Sequence, residues 1–317
     1  MVGERGEHFE GLTYPLHLEP LNPTMDKKLV INVAVTGAFL KREQNPYQAY
    51  TAEEVASQAI EAYKAGAAMW HVHIRDKEGY PILGKDPVPI KETVDMVLDE
   101  CPDVVIQHSG HADMTKRGSA GLMPLVEAMV KASTPERKYI DTMVIVPRRT
   151  ATMEMNQGIL VDIVNYLQDF GVKPEFQLYD YMCIDNVIRW LIQPGILHQP
   201  YIMNILSGGH GHQFVGPTQP EPWGYVHLMT LMQQMPRGSV IGATIGGRNW
   251  LPLTVFAIML GVDVVRIGME DAIWMYPHKD EKISKCADVI RKVAAVAEEL
   301  GREIATPAET RHILALG

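Results

Sequence analysis

Eight short apolar runs recur along this chain, and a segment with helical periodicity follows each of them. Most of the runs are continuously apolar rather than alternating, which is typical of parallel strands that are buried on both faces. Parallel neighbours need a long crossover connection, usually a helix. The sequence therefore predicts an α/β protein in which strands and helices alternate. The predicted strands are 29–38, 67–74, 103–108, 139–146, 175–179, 201–206, 240–245 and 263–269.

The intervening helices carry recognisable start and stop signals. Thr51 and Glu54 have the spacing of a capping box, and Gly66 suits the left-handed conformation that follows a helix. Thr306 and Glu309 form a second capping box, which opens a last helix with proline at its first position. The other predicted helices cover 86–100, 122–132, 157–170, 186–192, 222–235, 250–260 and 282–300.

Eight strands that alternate with helices predict a TIM (β/α)8 barrel with C-terminal helices after the last strand. A doubly wound sheet is the alternative, but its first strand is usually followed by a glycine-rich phosphate turn. Residues 35–38 are Val-Thr-Gly-Ala and do not form such a turn. We expect residues 1–28, which are polar and contain prolines, to form an irregular N-terminal arm. Residues 29–317 have no linker-like stretch and should form a single barrel domain.

Composition limits the classes of partner. The net charge of −9 and the pI near 5.7 argue against a nucleic-acid surface, which needs a basic field. No stretch reaches the ~18 apolar residues of a membrane span, and the first residues lack a secretory signal pattern. The three cysteines are far apart, which suits a reducing compartment. We therefore expect a cytoplasmic protein with a small-molecule partner.

Two histidines end the second apolar run. Side chains alternate along a strand, so His71 and His73 point to one face and can reach one ion. A pair of hydrogen-bonded core histidines is an equally open interpretation. The last run ends in Glu270 and Asp271, and a buried acidic pair is costly unless it binds something positive. Two histidines and one carboxylate predict a catalytic metal site with an open coordination position.

The barrel prediction brings these groups together, because strands two and eight both neighbour strand one and catalytic groups lie at the strands' carboxyl ends. Neighbouring side chains face opposite ways in a strand, so Glu270 and Asp271 should divide the roles of metal ligand and base. Arg266 could hold Asp271 ionised and oriented, although a structural ion pair is the alternative. Ser109 at the end of strand three and Glu175 at the start of strand five should lie on the same rim.

This combination suits a particular chemistry. A divalent ion bound to a β-dicarbonyl substrate stabilises an enolate, and a nearby carboxylate can remove the proton between the two carbonyls. Gly247 and Arg248 lie in the loop after strand seven, where barrels often bind phosphate. We expect them on the side of a phosphate-bearing ligand. His210 and His212 lie in a glycine-rich loop, and we expect them to pack the loop or contact ligand rather than bind a second metal.

Several motifs in order along the chain resemble the β-keto acid cleavage enzyme family. They lie at residues 34–46, 71–75, 246–252, 265–271 and 298–309, and the resemblance extends from about Leu29 to the C-terminus. It implies a TIM barrel, a zinc ion, a homo-tetramer, and the reaction of a β-keto acid with acetyl-CoA to give acetoacetate and a new acyl-CoA. Gly247 and Arg248 would then lie on the CoA side. By matching motifs, the resemblance implies zinc ligands His71, His73 and Glu270, base Asp271, orienting partner Arg266, active-site Glu175, and substrate contacts Ser109 and Gly110.

Two departures from the family's motifs concern the substrate. Phe39 stands where the enzyme for an amino-bearing substrate has a glutamate, and residues 142–147 replace the family's Leu-Thr-x-Gly-Ser segment. Without that carboxylate, a cationic amino group loses its partner, so we expect a substrate other than 3-keto-5-aminohexanoate. Two other functions stay open: a metal-dependent hydrolase of the amidohydrolase type, and a non-catalytic barrel that binds a partner and carries a structural metal.

Overall fold

A computed structural model describes residues 23–110, 116–150, 154–208 and 223–317. Its strands, in chain order, are β1 (Val30–Ala34), β2 (Met69–Val72), β3 (Ile74–Arg75), β4 (Pro81–Ile82), β5 (Val105–Ser109), β6 (Thr142–Ile145), β7 (Lys173–Leu178), β8 (Tyr201–Gly208), β9 (Ser239–Gly246) and β10 (Val264–Ile267). Its helices are α1 (Ala52–Lys64), α2 (Pro87–Glu100), α3 (Ser119–Ala132), α4 (Gln157–Asp169), α5 (Tyr181–Val187), α6 (Trp223–Met232), α7 (Trp250–Met259), α8 (Cys286–Glu299) and α9 (Pro307–Leu314).

Eight parallel strands close into a barrel in the order β1-β10-β9-β8-β7-β6-β5-β2. The TIM-barrel prediction is confirmed, and the doubly wound alternative is wrong because the sheet has no open edge. Each barrel strand overlaps a predicted apolar run. The extra pair β3 and β4 forms a small antiparallel hairpin directly after β2. The proposed boundary at residue 28 stays a prediction, since residues 1–22 lie outside the described ranges.

Both predicted capping boxes are confirmed. Thr51 with Glu54 and Thr306 with Glu309 each form a complete capping box. Gly66 has φ +114°, which suits its place after α1.

Two predicted helix starts are wrong. The helix expected from residue 186 begins at Tyr181, where the side chain of Asp180 caps it, and it continues as a π-helical turn over Ile188–Ile192. The helix expected from residue 282 begins at Cys286. Lys282 instead pairs with Trp274 in an antiparallel bridge, so residues 282–285 belong to the loop that follows β10.

Helix α9 covers the amino-terminal end of the barrel. Leu314 packs in a small apolar cluster with the first inward-facing residues of the strands, including Val30 and Val264. Arg311 makes an ion pair with Asp141, which is buried at the start of β6. The opposite end, at the carboxyl ends of the strands, carries the predicted site residues. None of the helices described is long and apolar enough to cross a membrane.

Candidate active site

Three potential metal ligands meet at the carboxyl end of the barrel. His71 lies in β2, His73 follows that strand, and Glu270 lies in the turn after β10. All three side chains are buried. The central strand β1 brings them together, because Ala34 pairs with His71 and its carbonyl accepts a hydrogen bond from the Glu270 backbone N–H at 3.2 Å.

The donor atoms have the spacing of ligands on one ion. Nε2 of His71 lies 3.6 Å from Oε2 of Glu270, and Nε2 of His73 lies 3.6 Å from Oε1 of Glu270. Ligands at about 2.0–2.2 Å from a tetrahedral ion lie about 3.3–3.6 Å apart. The three residues therefore fit a metal ion with three protein ligands. This grouping favours a metal site over a pair of structural core histidines.

His71 presents a neutral ring to this site. Its Nδ1 lies 2.7 Å from Oε1 of the Gln107 amide, so Nδ1 carries the proton and Nε2 keeps its lone pair. Burial, together with the positive charge of Arg266, lowers the pKa of His71 to about 3. Neutral imidazole is the form that binds metals. His71 is therefore ready to bind an ion without first losing a proton.

Arg266 joins the acidic pair. Its Nε and Nη2 donate to the two oxygens of Asp271 at 3.0 and 2.8 Å, and Nη2 also donates to Oε1 of Glu270 at 2.9 Å. Burial lowers the pKa of Arg266, but the two carboxylates outweigh it and raise that pKa above its usual value. The guanidinium thus stays charged and fixes the direction of the Asp271 carboxylate.

A tight turn allows Glu270 and Asp271 to meet the same arginine. The Asp271 N–H and the next N–H both donate to the carbonyl of Gly268, so strand alternation no longer applies at these residues. A Cβ atom at Gly268 would lie 2.0 Å from the carbonyl oxygen of Ala34, so the turn needs glycine here. Gly37 is also close-packed, since its Cβ would lie 2.5 Å from Cγ of Glu270.

Glu175 lies deeper in the barrel than the sequence suggested. It is the third residue of β7 rather than the first, and it is 2% exposed. Oε1 accepts a hydrogen bond from Asn204 at 2.9 Å, and Oε2 accepts one from Gln107. Burial raises the pKa of Glu175, while the amide hydrogen bonds and Arg266 oppose that change.

The predicted substrate contacts lie around this centre. Ser109 ends β5 and lines a small cavity of about 20 Å³ together with the ligand His73. A Cβ atom at Gly110 would lie 2.3 Å from the Val144 carbonyl oxygen, which gives this glycine a packing role. Phe39 is half-buried in the loop after β1, two residues beyond Gly37. Their contact with substrate stays a prediction.

The loop after β9 lies beside the acidic pair. The N–H of Gly247 donates to the carbonyl of Asp271 at 2.9 Å, so it supports Asp271. Arg248 donates to the carbonyl of Pro277 and to a carboxylate oxygen of Asp280, at 2.7 and 2.6 Å. Contact of these two residues with CoA also stays a prediction. His210 and His212 lie outside the described residues.

Sequence reasoning missed Gln107, Asn204 and Tyr179. The two amides interrupt strands that are otherwise apolar, and Gln107 has the two-residue spacing from Ser109 that places both on one face of β5. That signal was available but ambiguous. Tyr179, just after β7, is buried, and burial raises its pKa; it lies near enough to Arg266 for that charge to oppose the increase.

Comparison with known proteins identifies the family of this chain. The sequence profile of the β-keto acid cleavage enzymes matches residues 28–316. The 3-keto-5-aminohexanoate cleavage enzyme of Acetoanaerobium sticklandii is 30% identical over 92% of this chain and 99% of its own length. The 3,5-dioxohexanoate:acetyl-CoA acetone transferase of Paraburkholderia graminis is 26% identical over 92% and 96%. The solved structure of ObcA with oxaloacetate shares the fold, with a TM-score of 0.69 and 17% identity over 86% of this chain and 68% of that chain. The chain belongs to the β-keto acid cleavage enzyme family.

Proposed function

We propose that this protein is a zinc-dependent enzyme that converts a β-keto acid and acetyl-CoA into acetoacetate and a new acyl-CoA. The observation that carries the proposal is the convergence of three metal ligands, His71, His73 and Glu270, with a carboxylate held by Arg266. Membership of an enzyme family leaves the two alternatives, an amidohydrolase-type hydrolase and a non-catalytic binding module, without support.

His71, His73 and Glu270 would hold the zinc ion, which when bound supplies a Lewis acid for the oxygens of a β-dicarbonyl substrate. Asp271 is the general base in this proposal. Each carboxylate oxygen has two acceptor positions, so an oxygen held by Arg266 can still take a proton. The proton comes from the carbon between the two carbonyls, and the resulting nucleophile attacks the acetyl thioester. Arg266 stabilises the ionised base before the transfer and orients it throughout.

The bond changes balance without any further reactant. The carbon between the carbonyls forms a bond to the acetyl carbonyl carbon, and the thiolate of CoA leaves. The bond from that same carbon to the original keto carbon then breaks as the thiolate takes up the released acyl group, and the carbon takes back the proton held by Asp271. The two carbons at the carboxylate end therefore leave as acetoacetate, together with the acetyl group. We place Ser109 and Gly110 against the substrate and Arg248 and Gly247 on the CoA side.

The substrate tail is proposed to be neutral, or a quaternary ammonium, rather than a primary amine. Phe39 lies in the loop after β1, two residues beyond Gly37. Gly37 packs against Glu270, so this loop borders the metal site. An aromatic ring there offers apolar surface or a face for a quaternary cation. A primary ammonium needs a hydrogen-bonding carboxylate, which Phe39 cannot supply. This interpretation predicts that Phe39→Glu shifts preference toward the amine.

We propose a cytoplasmic homo-tetramer. Helices α6 and α7 support an assembly, because both are rich in apolar residues and expose large side chains. Val226 and Met229 in α6 and Met259 in α7 are 53%, 42% and 52% exposed. Sedimentation equilibrium of the purified protein gives the number of chains directly.

The test of the function is a product assay with acetyl-CoA and three β-keto acids: 3-oxohexanoate, 3-keto-5-aminohexanoate and dehydrocarnitine. We expect acetoacetate and the matching acyl-CoA to form in equal amounts, with kcat/KM lowest for the primary amine in the wild type. The Phe39→Glu protein should raise kcat/KM for that amine. Hydrolysis without CoA would indicate the amidohydrolase alternative, and no product with any substrate would contradict the proposal.

A further inference from the structure

We infer that Glu175 is a positioning residue of the metal site, which acts through Gln107 to hold His71 in the tautomer that presents Nε2 to the ion. The inference rests on the metal-dependent function proposed above. It gives Glu175, which the resemblance implies only as an active-site residue, a role toward the metal, and it adds Gln107, which no motif singled out.

The first step is the hydrogen-bond direction between Glu175 and Gln107. Oε2 of Glu175 accepts its hydrogen bond from the Gln107 amide, so the amide atom that faces Glu175 is the nitrogen. On its other side, Glu175 accepts from Asn204, whose own carbonyl accepts from the Thr244 hydroxyl at 3.1 Å. One buried carboxylate thus sets the direction of the amides on both sides of it.

The second step follows from the planarity of the Gln107 amide. With its nitrogen on Glu175, its carbonyl oxygen faces the other way and accepts from two groups. Asn32 donates at 2.9 Å, and Nδ1 of His71 lies 2.7 Å away. An imidazole nitrogen that faces a carbonyl oxygen carries the proton, which leaves the lone pair on Nε2. Nε2 is the atom that faces Glu270.

The hydrogen bonds from Glu175 through Gln107 to His71 form a relay, and all of this relay is buried. Asn32 and Gln107 are 0% exposed and Glu175 is 2% exposed. Water therefore has little access to this site. If the Gln107 amide flips, water cannot supply the hydrogen bonds that are lost. Histidine ligands commonly donate their second N–H to a carboxylate or carbonyl, and losing that support costs about 10- to 100-fold in metal affinity. Here the His71 ring donates to the carbonyl oxygen of Gln107, and the Glu175 carboxylate acts on His71 through that amide.

The test measures zinc affinity by competition with a chelator, on folded protein from which metal has been removed. Glu175→Met keeps the side chain's length but cannot accept from Gln107, and we expect zinc to bind about 10- to 100-fold more weakly. Thr244→Val is the matched control, because it removes a buried hydrogen bond on the far side of Glu175 and leaves Gln107 in place. We expect its zinc affinity to equal that of the wild type.

An exchange variant separates this role from a general structural one. The double variant Gln107→Glu with Glu175→Gln places the carboxylate beside His71, where it accepts from Nδ1 directly, and leaves an amide to donate to it. We expect zinc affinity to return to the wild-type level. Nitrogen-15 NMR of histidine in the metal-free wild type should show His71 protonated at Nδ1, a readout that does not depend on any variant folding.

The outcomes are distinct. Unchanged zinc affinity in Glu175→Met, an Nε2-protonated His71, or an exchange variant that binds zinc as weakly as Glu175→Met would overturn the inference. A wild-type protein that binds no zinc would instead remove the proposed function on which it rests. Weak binding in Glu175→Met with recovery in the exchange variant supports the relay.

Discussion

The substitution Gly37→Ala should disable the metal site while leaving the fold intact. A Cβ atom at Gly37 would lie 2.5 Å from Cγ and 3.0 Å from Cδ of Glu270, whereas ordinary contact starts at 3.4 Å. The glutamate side chain would therefore have to move by about 0.9 Å, the difference between 3.4 and 2.5 Å. Gly37 does not need a positive φ, so alanine causes no backbone strain of its own.

Glu270 cannot make that movement without losing its position. It is buried, its Oε1 accepts from Arg266 at 2.9 Å, and its backbone N–H is bonded to Ala34. Metal–ligand distances tolerate deviations of only about 0.2 Å. The displacement is several times larger, so we expect zinc affinity to fall by at least the 10- to 100-fold seen when a supporting residue is lost.

The assay is a zinc titration against a competing chelator, with circular dichroism to confirm the fold. Gly158→Ala is the control: it is the same substitution in α4, where the new Cβ meets only Asn156 Oδ1 at an ordinary 3.5 Å. It should bind zinc as the wild type does. If Gly37→Ala keeps wild-type zinc affinity, Glu270 is either mobile or not a ligand, and the account of the site is wrong.

Three further predictions concern the metal, the base and a buried histidine. His71→Ala should lose most bound metal and activity, since one of three ligands is gone; metal analysis that finds a full zinc complement would refute this. Asp271→Asn should keep its metal but slow deuterium exchange at the carbon between the substrate's carbonyls by about 10²- to 10⁴-fold. If Asp271→Asn loses its metal and Glu270→Gln keeps it, then Asp271 is the ligand and Glu270 is the base. Burial lowers the pKa of His108 from 6.5 to about 4. The contribution of neutral His108 to the free energy of unfolding is therefore fully present above pH 6.5, and about 3 kcal/mol of it is lost as the pH drops to 4. His108→Gln should lack this component of the pH dependence of the free energy of unfolding, and parallel curves for the two proteins would contradict it.

The sequence predicted the barrel because buried parallel strands have a distinctive apolar pattern. All eight runs became barrel strands, and the two-residue spacing of His71 and His73 placed both imidazoles beside Glu270. The pairing of Arg266 with Asp271 also followed from residues close in the chain. These features depend on local periodicity or on short separations, which a single sequence contains.

Other features depend on contacts between distant parts of the chain. Gln107 reaches both His71 and Glu175 only because of the register of neighbouring strands, which is not visible in any one run. Helix α8 begins later than its apolar pattern suggests, because Lys282 pairs with Trp274. The sequence pattern marks an amphipathic segment, but it does not show which of its residues pair with the loop that follows β10 instead of joining the helix.

The most direct test of the proposed reaction uses acetyl-CoA labelled with carbon-13 in both acetyl carbons, an unlabelled β-keto acid and zinc-loaded protein. We expect both labelled carbons to appear in acetoacetate, at the keto and methyl positions, while the new acyl-CoA carries no label. The Asp271→Asn protein should form neither product at a comparable rate. Label that appears only in free acetate, or in the new acyl-CoA, would contradict the proposed reaction at this metal site.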